Sequence, residues 1–455
     1  MQQNAHRAEA QTAWPAPQIT AEPGATASVA IPGSKSLTNR YLILAALASS
    51  PSRLYSLLDS RDSALMIKAL ESLGASFTPL GPSTGSQLNL EVTPLRRERP
   101  AQNKQIDVGL AGTVMRFVPA LAALIPGSYH FDGDPHARQR PMAPVIAALK
   151  TLGIRIEDGG RASLPFSLHS SGRVQGGPLE LDASASSQFV SALLLAGCHF
   201  DRGLDLSHVG PSLPSLPHIQ MTIQTLAEVG VSVREPGPNR WLLEPTSYPG
   251  FEATVEPDLS NAGPFLAAAL VLGVSVSIPD WPQKTSQVGA HWLDILPRFG
   301  ARVHYEQQSL TVTGPPGGVG AGLPGVDLDL SEAGELAPTV AALCALASSP
   351  SRLSGIGHLR GHETNRLAAL TQEINRLGGS AQETADGIRI SSPVSRGGPM
   401  RTYQDHRMAT AAAIIGLSLP GVHIENVATT GKTLPNFTGL WQTMLDDLQK
   451  SQKHA

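Results

Sequence analysis

Cysteine and net charge are both scarce in this chain of 455 residues, and each scarcity excludes a class of protein. Only two cysteines are present, Cys198 and Cys344, and both lie inside apolar runs. They are predicted to be buried thiols in a reducing compartment, neither paired as a disulfide nor bound to a metal. The formal net charge of −3 argues against a general nucleic-acid binder or membrane-surface binder.

Long apolar segments are also missing. No apolar run reaches the length that a membrane span requires, and residues 1–11 lack the apolar stretch of a secretory signal. We therefore expect a cytoplasmic protein whose residues 1–17 and tail from about residue 450 are polar and flexible. The chain length predicts two or three domains with ample hydrophobic core.

Several motifs of known catalytic sites are absent from the sequence. There is no Gly-x-Ser-x-Gly elbow and no Gly-x-Gly-x-x-Gly after a strand, and a P-loop is excluded because Ser34 precedes Lys35 where that motif needs glycine. His358 and His362 are four residues apart but precede a predicted helix, so they indicate a zinc site only weakly. Chemistry would then depend on acid–base groups, namely Glu335, Glu363, Lys35, Lys432 and the histidines.

One pattern recurs five times along the chain. An amphipathic helix ends at an apolar residue followed by glycine, and a short strand begins at once. The glycines are Gly74, Gly153, Gly230, Gly300 and Gly378. Each suits the left-handed end of a helix, and their spacings of 70–79 residues are typical of a repeated α/β subdomain. The pattern leaves open whether helices pack in the middle with sheets outside, or the reverse.

A boundary between two halves is predicted near residues 257–260. There a strand passes into a helix over residues 262–272, which Ser260 or Asn261 would cap. Three of the five repeated marks lie before this point and two lie after it. A predicted strand over residues 28–31 then belongs with the C-terminal half.

Cationic residues lie at several predicted helix starts. Residues 32–40, Pro-Gly-Ser-Lys-Ser-Leu-Thr-Asn-Arg, lead into a helix predicted over residues 37–48. Free backbone N–H groups and the helix dipole favour an anion beside Lys35 and Ser36. Comparable segments contain Arg116, Arg140, Ser186, Arg366, Arg407 and Lys432. Any one of them is more often a helix cap, but together they predict a cleft for a ligand with more than one anionic group.

Seven motifs, in order from residue 32 to residue 435, resemble those of the 3-phosphoshikimate 1-carboxyvinyltransferase (EPSP synthase) family. They are Pro-Gly-Ser-Lys-Ser-x-x-x-Arg, Ala-Gly-Thr-x-Met-Arg, Arg-Pro-Met, Ser-Ser-Gln, His-Glu-Thr-x-Arg, Asp-His-Arg-Met and Lys-Thr-x-Pro. The resemblance implies an α/β fold of two lobes, each built of three repeated βαβαββ units. One lobe would comprise residues 18–34 and 257–447, the other residues 35–256, after a flexible extension over residues 1–17.

The resemblance also implies a reaction. The enolpyruvyl group of phosphoenolpyruvate would pass to the 5-hydroxyl of shikimate 3-phosphate with release of phosphate, in the shikimate pathway of aromatic amino acid biosynthesis. The family uses no metal or organic cofactor. The implied partners are these two small molecules, with no nucleic acid and no membrane, and the implied enzyme is a monomer whose lobes close on substrate.

Site residues follow from the resemblance motif by motif. The residues implied to bind shikimate 3-phosphate are Lys35, Ser36, Arg40, Ser186, Ser187, Gln188, Ser215, Glu335 and His362. Those implied to bind phosphoenolpyruvate are Lys35, Gly112, Arg140, Gln188, Arg366, Arg407 and Lys432. Glu335 would take the 5-hydroxyl proton, and Glu363 and Lys35 are the candidates for proton transfer at the methylene carbon.

The sequence departs from the commonest family pattern at five positions. Leu110 replaces Asn, His218 replaces Tyr, Glu335 replaces Asp, His358 replaces Asn and His362 replaces Lys. Glu335 keeps a carboxylate but adds a methylene group. His362 keeps a hydrogen-bond donor and is expected to titrate near neutrality, so the charge beside the substrate would vary with pH.

Two other functions compete with this interpretation. The sister family, UDP-N-acetylglucosamine enolpyruvyltransferase, usually has a reactive cysteine in a loop that corresponds to residues 132–140, where this chain has none. The shikimate-phosphate motif Ser186-Ser187-Gln188 is present instead. A binding module for phosphorylated metabolites would be expected to lose the acid–base groups, but Lys35, Glu335 and Glu363 remain.

Overall fold

The computed structural model describes residues 13–82, 85–96 and 101–451, without the side chains of residues 101 and 102. This part of the chain is an α/β structure with twelve α-helices. The helices are α1 (Lys35–Leu47), α2 (Arg61–Leu73), α3 (Gly112–Ala122), α4 (Ala143–Thr151), α5 (Gln188–Gly197), α6 (Leu216–Glu228), α7 (Leu259–Leu272), α8 (Trp292–Arg298), α9 (Ala337–Cys344), α10 (Arg366–Arg376), α11 (His406–Ser418) and α12 (Phe437–Ser451).

The same residues form short strands and single turns of 3-10 helix. The strands are β1 (Trp14–Pro15), β2 (Thr26–Ser28), β3 (Ser52–Leu58), β4 (Ser76–Pro79), β5 (Gln87–Thr93), β6 (Ala101–Asp107), β7 (Pro126–Asp132), β8 (Arg155–Glu157), β9 (Phe166–Ser171), β10 (Gly177–Leu181), β11 (Leu204–His208), β12 (Val233–Gly237), β13 (Arg240–Leu243), β14 (Glu252–Thr254), β15 (Ser275–Ile278), β16 (Arg302–Glu306), β17 (Ser309–Thr313), β18 (Asp327–Asp329), β19 (Ser351–Ser354), β20 (Ser380–Glu383), β21 (Ile388–Ser392), β22 (Gly398–Met400) and β23 (Val422–Ile424). The 3-10 turns that matter below are Gly334–Leu336, Gly357–Gly361 and Val427–Lys432.

Six small sheets are present among the described residues, and the five with four strands share one strand order. In five of them a parallel pair is followed by an antiparallel hairpin, and the orders are β14-β3-β5-β4, β6-β7-β9-β8, β10-β11-β13-β12, β2-β15-β17-β16 and β18-β19-β21-β20. The sixth sheet has three strands, β22-β23-β1. One unit with the succession βαβαββ therefore recurs along the chain, which confirms the predicted repeated α/β subdomain.

The predicted glycine ends of five helices are confirmed. The first glycine after each helix has a φ angle between 81° and 108°, a conformation in which a Cβ atom would meet the following carbonyl oxygen. The chain reverses there and enters the outer strand of the next hairpin. This is why the same local signal marks five of the six units.

Two of the sheets take their first strand from a distant part of the chain, because β14 lies at the end of the N-terminal half and β2 precedes that half although it belongs to the C-terminal one. Strand β14 pairs in parallel with β3, and β2 pairs in parallel with β15. The chain consequently crosses between the halves twice, and the two crossings lie side by side. Gly33 and Pro257 form an antiparallel bridge there, and the Ser34 N–H donates to the Glu256 carbonyl at 2.8 Å.

Buried apolar residues form two separate cores. The first core spans residues 37–255, and the second combines residues 25–31 with residues 259–448. Helices α1, α3 and α5 are buried along nearly their whole length in the first core, as are α7, α9 and α11 in the second. Strands such as β10 alternate buried and exposed residues, so the helices lie inside and the sheets outside. The division at residues 35–256 stays a prediction, which these two cores support.

Three element boundaries differ from the sequence prediction. Strand β2 ends at Ser28, where residues 28–31 were expected to be extended. Helix α1 begins two residues earlier than expected because the Ser34 side chain caps it by accepting from the Leu37 N–H. Helix α7 begins at Leu259, because the Asp258 carboxylate accepts from the Asn261 N–H at 3.0 Å and so caps the helix in place of Ser260 or Asn261.

The predicted flexible extension over residues 1–17 is wrong for Trp14 and Pro15. These residues pair antiparallel with β23, and the Trp14 ring packs edge-on against Phe437 with ring centroids 6.3 Å apart. The free energy gained by burying a large aromatic ring next to an open sheet edge outweighs the preference of the surrounding polar residues for solvent. Residues 1–12, and residues 452–455 of the predicted flexible tail, lie outside the described part of the chain.

The cysteines and the helices test two predictions from the sequence, the absence of a disulfide and the absence of a membrane span. Cys198 and Cys344 are both buried and neither forms a disulfide, as predicted. Burial raises the pKa of the Cys344 thiol to about 12, which is typical of an unreactive core cysteine. Among the described residues, the helices are all too short or too polar to cross a membrane.

Gly230→Ala tests the left-handed helix ends. Gly230 has a φ angle of 86° and no atom within 4 Å of the position that a Cβ would occupy, so only backbone strain opposes alanine. The free energy of unfolding should fall by about 1–2 kcal/mol, measured by urea unfolding. Gly320→Ala is the matched control, since this exposed glycine has equal space and no positive φ angle. An equal loss of stability in both variants would contradict the explanation.

Candidate active site

A cavity of about 100 Å³ lies where helix starts from both halves of the chain converge. The predicted site residues that line it are Lys35, Ser36, Gly112, Arg140, Ser186, Ser187, Gln188, Ser215, Glu335, His362, Glu363, Arg366, Arg407 and Lys432. Residues that lie as far apart in the sequence as Lys35 and Lys432 thus line one cavity. Of the residues predicted from the motifs, Arg40 alone does not line this cavity.

Three helices begin at the cavity. Helices α3, α5 and α6 begin after Ala111, Ser187 and Ser215, and none of these residues makes a capping bond with its side chain. The first N–H groups of α3 are therefore available to an anion, whereas the Gln188 N–H of α5 donates to the Ser186 hydroxyl at 3.3 Å and the His218 N–H of α6 donates to the Ser215 carbonyl at 3.0 Å. Space is tight at Gly112, where a Cβ would lie 3.0 Å from an Arg140 nitrogen and 3.1 Å from the Gln188 side-chain oxygen.

Two arginines of the N-terminal half are close together and incompletely paired. The Nη1 of Arg116 donates to the Gln188 Oε1 at 2.7 Å, and the Nη1 of Arg140 donates to the Leu110 carbonyl at 2.9 Å. The buried Nε atoms of both arginines have no hydrogen-bond partner in the structure. Burial, and then the charge of Arg140, lowers the pKa of Arg116 well below its usual range. An anion between the two would relieve both the repulsion and the missing bonds.

The C-terminal half contributes cations that already have partners. Arg366 binds the Asp405 carboxylate with two bonds, of 2.8 Å and 3.1 Å, in a fully buried pair. Lys432 lies 2.9 Å from one oxygen of Glu363, and the Nδ1 of His406 lies 3.0 Å from the other. These bonds fix the cationic heads at the cavity wall before any ligand arrives.

Glu335 and Glu363 are both held ionised. Burial disfavours the charge of Glu335, but Arg407, His218 and Lys35 outweigh burial and hold its pKa well below the usual range. Arg407 donates to one oxygen of Glu335. Burial likewise opposes the ionisation of Glu363, and its buried partners hold that pKa low as well. Each carboxylate is therefore ready to accept a proton at neutral pH, and each is a weak base in the empty cavity.

His358 and His362 form an uncharged pair on one wall, with ring centroids 5.6 Å apart. Burial, then the positive charges of Arg366 and His218, lowers the pKa of His358 to about 4. Burial and the same arginine lower the pKa of His362 well below its usual range. The expectation that His362 titrates near neutrality is therefore wrong, because it is buried beside cations.

Arg40 was predicted to bind the ligand, but its guanidinium is occupied by the protein. Its Nε donates to the Thr222 hydroxyl at 2.8 Å, and its two Nη atoms donate to the carbonyls of Ser36 and His218 at 2.9 Å. It also lies over the Phe117 ring and is only 1% exposed. The structure therefore places Arg40 behind the wall, where it holds two backbone segments whose residues do line the cavity.

Some lining residues were not among the catalytic and substrate-binding residues implied by the family resemblance. They are Asp62, Thr113, Arg116, Ala185, Pro214, His218, His358, Gly361 and His406. Asp62 lies 3.6 Å from the Lys35 ammonium, yet its segment Ser60–Ser63 has only the signal of a helix cap, which it also forms. His218 follows Ser215 by three residues, so one helical turn links it to a predicted residue.

One group of metal-ligand residue types is present among the described residues. The nearest ligand atoms of Glu363, Asp405 and His406 all lie within 4.8 Å of one another. However, Asp405 is taken by Arg366, and Glu363 by Lys432 and His406. A cation here would be repelled by both basic side chains, so the donor set does not fit a resident metal.

Repeated α/β units that enclose carboxylates and fixed cations in a small cavity define an enzyme that acts on small anionic substrates between two halves. The chain belongs to the EPSP synthase (3-phosphoshikimate 1-carboxyvinyltransferase) family, whose model matches residues 20–441. It is 58% identical over 434 residues to the 3-phosphoshikimate 1-carboxyvinyltransferase of Kocuria rhizophila, covering 95% of this chain and 96% of that one. The enzyme of the same name from Mycobacterium ulcerans is 48% identical over 95% of this chain and 98% of its own.

Solved structures have the same fold. EPSP synthase from Acinetobacter baumannii superposes with a TM-score of 0.75 at 21% identity, over 95% of this chain and 97% of that one. The enolpyruvyl transferase NikO from Streptomyces tendae superposes with a TM-score of 0.70 at 18% identity, over 94% and 96%. These likenesses and the six small sheets confirm the predicted two-lobed EPSP synthase fold.

Arg40→Ala tests whether Arg40 stabilises the fold through its buried hydrogen bonds. The substitution removes three buried hydrogen bonds, to the Thr222 hydroxyl and to the Ser36 and His218 carbonyls, so the free energy of unfolding should fall by about 1–3 kcal/mol or more. Thermal unfolding measures it. Arg138→Ala is the control and should leave stability almost unchanged, because the ion pair of Arg138 with Asp132 is exposed. Normal stability with a raised KM for one substrate would instead restore Arg40 as a direct ligand.

Proposed function

We propose that this chain transfers the enolpyruvyl group of phosphoenolpyruvate to the 5-hydroxyl of shikimate 3-phosphate, giving 5-enolpyruvylshikimate 3-phosphate and phosphate. The observation that carries the proposal is the convergence of all the predicted site residues except Arg40 on one cavity in a member of this family. A monomeric state and a cytoplasmic location stay predictions.

The two substrates would bind different walls of the cavity. Phosphoenolpyruvate, with a phosphate and a carboxylate, suits the basic side chains of Lys35, Arg140, Arg366, Arg407 and Lys432. Shikimate 3-phosphate suits the hydroxyl, amide and imidazole groups of Ser36, Ser186, Ser187, Gln188, Ser215 and His362. The unpaired Nε atoms of Arg116 and Arg140 support an anion at the boundary between these walls.

The proton transfers can be assigned to the two carboxylates. Glu335 takes the proton of the 5-hydroxyl as the hydroxyl oxygen bonds to the central carbon of phosphoenolpyruvate, whose methylene carbon gains a proton from Lys35, since Glu363 is ionised and has none to give. Loss of the phosphate with its bonding pair, and of one proton from the resulting methyl group to Glu363, then restores the double bond. The fixed cations stabilise the negative charge that builds up on the departing phosphate.

The acceptor decides between the proposed function and its rival. Purified enzyme with phosphoenolpyruvate should release phosphate when shikimate 3-phosphate is supplied, and should release none with UDP-N-acetylglucosamine. Release with the nucleotide sugar alone would favour the sister activity. Release with neither, under conditions where both ligands bind, would favour a binding module.

Glu335→Gln tests the base. The amide keeps the volume of the side chain and cannot accept the proton, so kcat should fall by about 10²–10⁴-fold with little change in the affinity for shikimate 3-phosphate. Steady-state kinetics and calorimetric binding measure the two quantities. Glu332→Gln makes the same exchange at an exposed carboxylate three residues away and should be neutral. Near-normal turnover of the Glu335 variant would assign the role to Glu363.

His362→Gln tests whether His362 is uncharged. The pKa of His362 lies well below its usual range, so the imidazole is neutral above that value and does not gain a proton between pH 6 and 8. The ratio of the KM for shikimate 3-phosphate in the variant to that in the parent enzyme should be the same at pH 6, 7 and 8. Using the ratio cancels the titration of the substrate phosphate. A ratio that rises as the pH falls would show that the histidine becomes charged.

A further inference from the structure

His218 and Glu335 meet across the boundary between the two cores. His218 lies in the first turn of α6, whose apolar residues belong to the first core, and Glu335 lies in the 3-10 turn Gly334–Leu336 of the second. The Nε2 of His218 is 3.3 Å from the Oε2 of Glu335, and both side chains line the cavity. Neither half of the chain can form this contact alone.

The backbone of His218 is firmly held. Its N–H donates to the Ser215 carbonyl at 3.0 Å, and its own carbonyl accepts from the Arg40 Nη2 at 2.9 Å and from the Thr222 hydroxyl at 3.0 Å. The imidazole therefore projects from a fixed base. Arg40 does not line the cavity. Its structural role is to bind the backbone of His218, the residue that contacts Glu335.

Glu335 needs a second anchor. Arg407 donates to its Oε1, and a single hydrogen bond restrains the orientation of the carboxylate plane less than bonds to both oxygens would. His218 contacts the other oxygen. With one oxygen bonded from each half of the chain, the carboxylate plane is defined, and with it the direction from which a hydroxyl proton can be accepted.

We infer that His218 is a positioning residue for Glu335, which completes the catalytic base only when the two halves are closed. The inference rests on the proposed function, in which Glu335 accepts the 5-hydroxyl proton. It makes closure a condition for proton transfer as well as for enclosing the substrates. It also assigns a role to a histidine that no motif singled out.

Loss of the imidazole should be visible in the pH profile. The charged groups that act on Glu335 besides His218 are Arg407, Lys35, Arg40, Arg366 and Asp258, and His358 interacts with His218. All of these groups remain when His218 is replaced. His218 contributes to the low pKa of Glu335, so its removal raises that pKa, and kcat is then lost at a higher pH as the solution is acidified.

The experiment compares His218→Phe with His218→Gln. Phenylalanine keeps a ring without a donor, so kcat should fall about 10- to 100-fold, and the acid limb of the kcat profile should move to higher pH. Glutamine can still donate to the carboxylate and should recover most of the lost kcat. If His218→Phe does not fold, His218→Ala makes the same test. Gln220→Ala is the matched control and should leave the kinetics unchanged, because this half-buried residue of α6 donates to Glu235 and does not line the cavity.

A double-mutant cycle decides whether His218 acts through Glu335. In the Glu335→Gln background, His218→Phe should cause no further loss of kcat, because the group that it positions is already gone. A full 10- to 100-fold loss in that background would show that the imidazole acts on the substrate itself and would overturn the inference. An unshifted acid limb in His218→Phe would overturn it too. Absence of turnover in the parent enzyme would count against the proposed function, since the comparison requires an active parent.

Discussion

Six lysine and arginine side chains converge on a cavity of about 100 Å³ that only three carboxylates share, and the rest of the site follows from this repulsion. Like charges around so small a cavity repel one another strongly, and each is stable there only if it is bonded to a fixed group of the protein or to an anion. The C-terminal half solves the problem internally, with Arg366 on Asp405 and Lys432 on Glu363. The N-terminal half leaves Arg116 and Arg140 short of partners, so an anionic ligand is most strongly favoured there.

The repeated unit explains how one chain assembles such a site. Each unit contributes a buried helix that starts near the cleft, and a helix start carries exposed N–H groups and a positive dipole end. Six copies of the unit deliver helix starts from several directions around one point. The catalytic groups are then placed by the ends of rigid elements, and Glu335, His218 and Lys35 each lie within one turn of a helix start.

The sequence predicted local features whose cause is local. The glycine helix ends, the repeated unit and fourteen of the 23 residues around the cavity were found because a φ angle or a short motif determines them. The position of Arg40 away from the cavity was not predicted, since whether a guanidinium faces the cavity or the core depends on Thr222 and His218, more than 170 residues away. Its role as a substrate ligand stays a prediction. The charge state of His362 was wrong for the same reason, because it depends on burial and on Arg366. The contact of His218 with Glu335 has no local signature at all.

Two sheets pair strands that lie about 200 residues or more apart in the chain, and this makes the order of assembly unusual. The sheet that begins the N-terminal half lacks its first strand until residues 252–254 are available, and β2, near the start of the chain, must wait for β15 to be made. During synthesis the first half therefore keeps an open edge on β3 for about 200 residues, and the second half has one strand ready before any of its core exists. Residues 259–448 alone lack β2, a strand of their own half, so a continuous stretch that begins at residue 259 cannot form the complete C-terminal half, whereas residues 37–255 contain every strand of the N-terminal core.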